Sequence, residues 1–493
     1  MKRNIGKAFL SLLIISAIAL EVLMFLQFST VKGQIAKQSI VYFPNWAVYL
    51  DSHNYFAVGD IPWDKVTIVN HAFFKINDKY EIETTDRYAD FEKSFPHSSG
   101  SLKGHFGEYK YYKSLYPNVK LVVSIGGWTE SGKFHEMAMT TSGRAAFINS
   151  IISFLKTYTF FDGVDIDWEY PGVTRDGCPG GPEDRQNFTN LLKEIRQAYI
   201  DNNMPDKLLT IAVSPSKYTT SHTDPNNYAQ YVDFINVMTY DMHGEWDSIT
   251  NHHSPIYAKD DYSVDGAFKL YTETYGVPAN KIVIGTPFYS RGWSNVIASE
   301  KHGLGVSGLG YLQGTLGSNG QNAYFRMKEL EAMTDVYVKY WDDYARVPWL
   351  YSAALHEMYT YEDERSLAER CDYVIDNNGG GIMVWTVAFD DKDKGFPLMS
   401  IIADKLGIGG DSVQTPTATI MPAGTPTPAS TILKGDINGD GEINSIDFAY
   451  LKKYLLGMNV PFTNILETAD LNNDNSVDSI DYALLKCLIL GIK

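Results

Sequence analysis

From about residue 36 onward, short apolar runs alternate with stretches of helical periodicity. Eight runs have the composition and period of strands: 40–46, 66–74, 120–126, 163–169, 208–214, 234–240, 282–288 and 381–386. Between several of them, apolar residues recur every three to four positions. Phe147, Ile148, Ile151, Ile152 and Leu155 make one such stripe, and Phe188, Leu191, Leu192 and Ile195 another. Eight strand–helix units in one domain predict an α/β fold, a (β/α)8 barrel over residues 36–408. About ninety residues separate the seventh run from the eighth, far more than an ordinary connection, so a small α+β insertion is expected over about 293–360.

The fourth run changes the picture from fold to chemistry. It reads Phe161-Asp162-Gly163-Val164-Asp165-Ile166-Asp167-Trp168-Glu169-Tyr170-Pro171. With a period of two, Asp165, Asp167 and Glu169 share one face, and Val164, Ile166 and Trp168 share the other. The apolar face calls for helices behind it. Three carboxylates cannot be buried unpaired in a dry core, so their face should look into a cavity. Same-face neighbours sit roughly 7 Å apart, close enough to push their pKa values apart. A neutral acid beside an ionised carboxylate suits glycosidic bond cleavage. The plainer readings are a metal-binding or simply solvated strand end. Barrel active sites lie at the C-terminal ends of the strands, where these residues fall.

This stretch resembles the DxxDxDxE signature of family 18 glycoside hydrolases, the chitinases, with Asp162, Asp165, Asp167 and Glu169 at the four acidic positions. The resemblance implies that Glu169 is the general acid/base and that Asp167 orients the substrate's acetamido group. It also implies that Asp165 shares a hydrogen bond or proton with Asp167. Asp162, on the other parity, reads as structural. Ser124-Ile125-Gly126-Gly127-Trp128 resembles the accompanying SxGG motif, with Ser124 directed to Asp165 and the glycines, Gly127 among them, allowing close backbone approach. Tyr42 is similar to the family's first-strand tyrosine. The run 233–241 looks like the family's sixth strand, with Met238 lining the sugar pocket, Tyr240 bonding the acetamido carbonyl and Asp241 contacting a sugar beside the scissile bond. Trp385 is similar to the tryptophan under the distorted sugar. By the same resemblance Tyr289 and Arg291 bind sugar hydroxyls; Trp46 and Trp128 are candidates for outlying subsites, with core packing as the plainer reading.

Composition adds limits. The 493-residue chain carries a formal net charge of −17, which argues against nucleic acid as a partner and suits a secreted protein. Cys178, Cys371 and Cys487 show neither paired nor metal-ligand spacing. Residues 1–33 read as an export signal: Lys2, Arg3 and Lys7 precede a largely apolar stretch, and cleavage is expected near Gly33. An uncleaved anchor is the rival, weakened by Glu21 inside the apolar stretch; after cleavage no membrane association is expected.

Residues 409–433 change character, with Pro416, Pro422, Pro426 and Pro428 among threonines and alanines, and read as a semi-extended linker. An internal repeat follows over 434–493. Two twelve-residue loops carry the oxygen ligands of an EF-hand: Asp436, Asn438, Asp440, Asn444 and Asp447, then Asp470, Asn472, Asp474, Asp478 and Asp481. Glu442 and Ser476 would supply backbone carbonyls. Position 12 is Asp where the standard hand has Glu, and Asn475 stands where the first loop has Gly441. Two structural Ca²⁺ ions are the expectation, with no cofactor for catalysis. Each loop leads into a helix and none precedes it. The pair therefore resembles a dockerin, the small all-α module that plugs enzymes into the cohesins of a cellulosome. The resemblance places cohesin choice at Ser445, Ile446, Ser479 and Ile480, with Lys452, Lys453 and Lys486 on the same face.

The combined expectation is a secreted chitinase tethered to an extracellular, cell-surface cellulosome. It would cleave β-1,4-linked N-acetylglucosamine with retention, by substrate-assisted catalysis. An endo-β-N-acetylglucosaminidase acting on N-glycans shares the acidic signature but usually lacks the insertion. A non-catalytic chitinase-like lectin shares the barrel but generally loses the glutamate or its aspartate neighbour; both are kept here.

Overall fold

The computed structural model describes residues 36–98, 102–260, 262–317 and 319–409, and, in the tail, 434–437, 443, 445–455, 468–472, 474 and 476–489. The expected signal (1–33) and nearly all of the linker (409–433) fall outside these residues. So do Asn438, Asp440, Glu442 and Asn444, and the side chains of Ser445, Ile446, Lys453 and Cys487. The chain divides into two compact units within the span read as linker.

In the first unit all eight expected strands form: β1 (Gln38–Pro44), β2 (Ile68–Ile76), β3 (Lys120–Gly126), β4 (Gly163–Asp167), β5 (Leu208–Val213), β6 (Phe234–Val237), β7 (Ile282–Pro287) and β8 (Gly381–Trp385). Each pairs in parallel with the next, and β8 pairs with β1 to close the barrel. Closure leaves no exposed edge in this ring. Alternation along β4 sets the layers. Val164, Ile166 and Trp168 are buried outward, where Phe134 stacks on Trp168 at 5.3 Å and Phe188 meets it edge-on at 5.9 Å. Helices α1 (Thr141–Thr157) and α2 (Asp184–Asp201) bury the two stripes read from sequence. Inside the ring a smaller cluster contains Ile40, Tyr42, Val122, Ala212, Met238 and Met383.

Several strands stop earlier than their apolar runs, and two of these ends shape the mouth. β4 ends at Asp167 and β6 at Val237, so Glu169, Met238, Tyr240 and Asp241 lie just past the strand ends, at the mouth. After β6 the chain turns tightly: Thr239 N–H bonds Val237 O and Tyr240 N–H bonds Met238 O, both at 2.8 Å, and Asp241 is left-handed at φ 56°.

The insertion is a four-stranded antiparallel sheet in the order Val338–Asp342, Val347–Ser352, Glu357–Thr360, Arg291–Trp293, with one helix, Tyr324–Ala332. It starts at Arg291, slightly before the expected boundary, and has its own core of Trp293, Val296, Trp349, Tyr351 and Met358. A short strand, Ile82–Thr84, pairs antiparallel with β2 and was not legible in the hydrophobic pattern.

In the tail, two helices (Ser445–Leu455 and Ser479–Ile489) bury Ile437, Leu451, Ala469 and Leu485. Phe448 and Tyr482 stack at 4.1 Å. The repeat is visible in the bonding: Asp447 Oδ1 accepts from Ile437 N–H and Asp481 Oδ1 from Leu471 N–H, each at 2.7 Å.

Candidate active site

Asp165 sits at the centre of the barrel, fully buried, and four strands converge on it. Its Oδ2 accepts from Tyr42 (2.7 Å) and Ser124 (2.9 Å); its Oδ1 accepts from Thr210 (2.6 Å) and Asn236 (3.4 Å). Burial still raises its carboxyl above the usual range, although all four donors oppose the rise. Both oxygens are therefore occupied. The hydrogen bond between Asp165 and Asp167 implied by the resemblance is not made.

Asp167 turns to Glu169 instead. Its carboxyl lies within hydrogen-bonding reach of the Glu169 carboxyl, while its Oδ1 is buried and receives no donor. Burial, then the charges of Glu169 and Asp165, push Asp167 well above the ordinary carboxylate range. Burial also raises Glu169, to about 7, against the opposing pull of Arg175, Tyr170 and Asp167. Burial thus opposes the charge of both adjoining carboxyls and favours one proton between them.

Backbone geometry makes this possible. Gly126 (φ 113°) passes so close to β4 that a Cβ would fall 2.2 Å from the Asp167 carbonyl. Gly127 (φ 82°) lies against the Phe73 ring, where a Cβ would come to 2.7 Å. The role of Gly127 is thus clearance. Ser131, which the motif reading missed, has its Oγ 2.9 Å from Glu169 N, 2.8 Å from Gly127 O and 3.1 Å from Asp167 O. Arg175, also missed, donates from Nε to the Glu169 carbonyl at 2.8 Å.

Trp385 is half-buried, 5.6 Å from Tyr42 and stacked on Phe73 at 5.7 Å; Trp46 stacks on the same Phe73 at 6.2 Å. Phe73 thus joins two aromatic candidates into one row. Met238 belongs to the inner cluster and Tyr240 packs against it, with the Tyr240 hydroxyl contacting Met383 Sδ at 3.9 Å. Trp128 is 60% exposed, as a platform for a sugar must be.

Arg291 is paired within the protein. It grips Asp241 through two bonds, Nε to Oδ1 at 2.8 Å and Nη2 to Oδ2 at 2.7 Å. Burial would raise Asp241, but His253, with Nδ1 3.7 Å from Oδ1, and the Arg291 guanidinium prevail and hold it well below the carboxylate range. Tyr289 is buried against Tyr240 (6.3 Å) and His253 (5.5 Å). Trp246, exposed over half its surface, lies against the Arg291 guanidinium at 4.9 Å; its position close after Asp241 was the available signal. Asp162 is structural, as its parity implied: it binds Lys113 Nζ at 2.7 Å and Leu121 N at 2.8 Å.

The tail loops form a separate group. In the second, Asp481 accepts the backbone N–H of Leu471, Asn472 and Asp478, and Asp474 N–H is held by Asp470 Oδ1 and Asn472 Oδ1. The donors are all hard oxygens, the set that calcium selects. Among the described residues no three acidic side chains already converge to hold an ion. Cys178 and Cys371 are free thiols, both buried.

Residues 38–390 match the model of glycosyl hydrolases family 18, and residues 434–490 that of the dockerin type I domain. Chitinase A1 of Niallia circulans is 31% identical over 479 residues; the match covers 86% of this chain and 65% of that protein's own length. Among solved structures, chitinase ChiA74 from Bacillus thuringiensis superposes with a TM-score of 0.70 at 32% identity, covering 75% of this chain and 70% of its own. The Ostrinia furnacalis Group IV chitinase gives 0.67 at 30% identity in its complex with allosamidin, covering 75% of this chain and 99% of its own. With the acidic face of β4 at the mouth of a closed barrel, and that barrel matched nearly end to end, the chain belongs to family 18 of the glycosyl hydrolases.

Proposed function

We propose that this protein is a chitinase that cleaves β-1,4-linked N-acetylglucosamine with retention, through its substrate's own acetamido group. The observation that carries the reading is the arrangement of carboxyls at the end of β4: Asp165 bonded by four donors, and Asp167 turned to Glu169, with burial raising both of the latter. Glu169 protonates the leaving oxygen and later deprotonates water. A two-carboxylate retaining enzyme also needs a side-chain nucleophile across the sugar. Asp165 is fully bonded, Asp241 is gripped by Arg291, and Asp167 adjoins Glu169 on the same strand face. None is free for that task. The 2-acetamido oxygen of the sugar supplies it, closing an oxazolinium ring; substrate assistance is the known exception of this family. Asp167 steadies the N–H of that ring, Tyr240 holds the carbonyl oxygen in line, and Trp385 with Phe73 supports the distorted sugar.

The tail carries the second half of the proposal. Asp436, Asn438, Asp440, Asn444 and Asp447, and Asp470, Asn472, Asp474, Asp478 and Asp481, hold one Ca²⁺ each, with carbonyls from Glu442 and Ser476. Bound there, Ca²⁺ would neutralise the carboxylates of the two loops. A cohesin is the partner. The second helix presents Ile480, Leu484 and Leu488 to solvent one turn apart; Lys486 is also exposed, and the first helix presents Lys452. Export through residues 1–33 and attachment to an extracellular scaffold follow from the same reading.

Substrate choice tests the proposal. N-acetylated chitohexaose should be cleaved. Fully deacetylated chitosan and cellulose should not, because they lack the internal nucleophile. Release of intact N-glycans from a glycoprotein in preference to chitohexaose hydrolysis would favour the endo-β-N-acetylglucosaminidase instead.

A further inference from the structure

The loop that follows β4 carries a cation that the catalytic scheme does not use. The base of this loop is pinned by Asp184, whose Oδ2 accepts from Gly172 N–H and Gly181 N–H, both at 3.0 Å, and whose Oδ1 meets His135 Nδ1 at 2.8 Å. At its tip, Arg175 and Cys178 exchange backbone hydrogen bonds of 3.0 and 2.9 Å around Gly177, which is left-handed at φ 72°. The Gly177 carbonyl rests on Gly132, where a Cβ would intrude to 2.7 Å. The hairpin is thus seated on the segment that bears Ser131.

From this seat one guanidinium makes three contacts. Arg175 Nε donates to the Glu169 carbonyl at 2.8 Å, Nη2 donates to the Trp128 carbonyl, and the guanidinium carbon lies 4.0 Å from the centre of the Trp128 ring. Trp128 nevertheless keeps 60% of its surface exposed, so the cover is one-sided. Only a planar fork can bond two carbonyls and stack on a ring together; a lysine ammonium cannot.

We propose that Arg175 is a positioning residue that couples the Trp128 platform to the backbone of Glu169, so that a sugar resting on Trp128 is held in register with the acid. This rests on the chitinase reading above. Glu169 faces Asp167 from β4, its neighbour Tyr170, and Tyr240 and Asp241 from beyond β6; of these and Arg175, only Arg175 is a cation. Its charge favours the Glu169 carboxylate and offsets part of the rise caused by burial.

The test compares Arg175→Ala, Arg175→Lys and Trp128→Ala on chitohexaose, with folding checked by circular dichroism. Arg175→Ala should raise KM about threefold to tenfold, the range expected for losing a cation–π support. It should also move the basic limb of kcat/KM upward by about half a pH unit, because the acid loses its cation. Arg175→Lys should restore the limb, since the charge remains, but leave KM raised. Trp128→Ala should raise KM and leave the limb in place. Wild-type KM and limb in Arg175→Ala would overturn the coupling, as would a Trp128→Ala limb displaced as far as that of Arg175→Ala. Failure of the unaltered enzyme to cleave chitohexaose would instead overturn the chitinase reading beneath it.

Discussion

Glu169→Gln folds like the parent and loses nearly all hydrolysis, by about 10²–10⁴-fold. The amide has the size of the acid and can keep the backbone contacts with Ser131 and Arg175, so the site stays assembled. It cannot deliver a proton to the leaving oxygen. The same residue sets the pH profile of the parent. Glu169 acts in its protonated form, and burial holds its carboxyl at about 7. Activity should therefore be present below neutrality and fall as pH rises through about 7. An unperturbed glutamate would already be deprotonated two to three units lower. Initial rates on chitohexaose against pH, for parent and variant, check both parts. Retained hydrolysis in Glu169→Gln would remove this residue from the mechanism.

Chelation of calcium separates the two halves of the molecule. Within the second loop Asp470, Asp474, Asp478 and Asp481 place four carboxylates along twelve residues, and the first loop adds Asp436, Asp440 and Asp447. Like charges at that density repel, and two small helices around Ile437, Leu451, Ala469 and Leu485 bury little apolar surface to oppose them. Metal binding free energy is then folding free energy. With EDTA, cohesin binding should vanish and the helical signal of the tail should be lost. Hydrolysis of chitohexaose should be unchanged, because the catalytic scheme places no metal among the barrel residues. Calorimetry with a cohesin and a parallel rate assay read both. Loss of hydrolysis with cohesin binding intact would mean that calcium serves the barrel and not the tail.

Much of this site was legible in the sequence because strand periodicity is a rigid rule. Parity alone put Asp165 and Asp167 together and sent Ile166 and Trp168 to the helices, and it identified Asp162 as the odd member. Parity cannot say how a carboxyl rotates. Asp165 is held by donors from β1, β3, β5 and β6, and only closure of the ring brings Tyr42 and Asn236, from strands not paired with β4, to it. With Asp165 saturated, Asp167 turns to Glu169, and the implied Asp165–Asp167 bond gives way. The pairing of Arg291 with Asp241 was not legible for a related reason: Asp241 is fifty positions earlier, and the pairing depends on where the insertion begins. Ser131 and Arg175 act on Glu169 backbone atoms, a role that any residue of suitable reach could fill, so no motif marks them.

The most direct measurement is the anomeric state of the first product. Substrate assistance inverts the anomeric carbon twice, once when the acetamido oxygen displaces the leaving sugar and once when water opens the oxazolinium ring. Proton NMR during the first minutes of chitohexaose hydrolysis, before mutarotation, should show the β-anomer at the new reducing end. A first-formed α-anomer would contradict the mechanism.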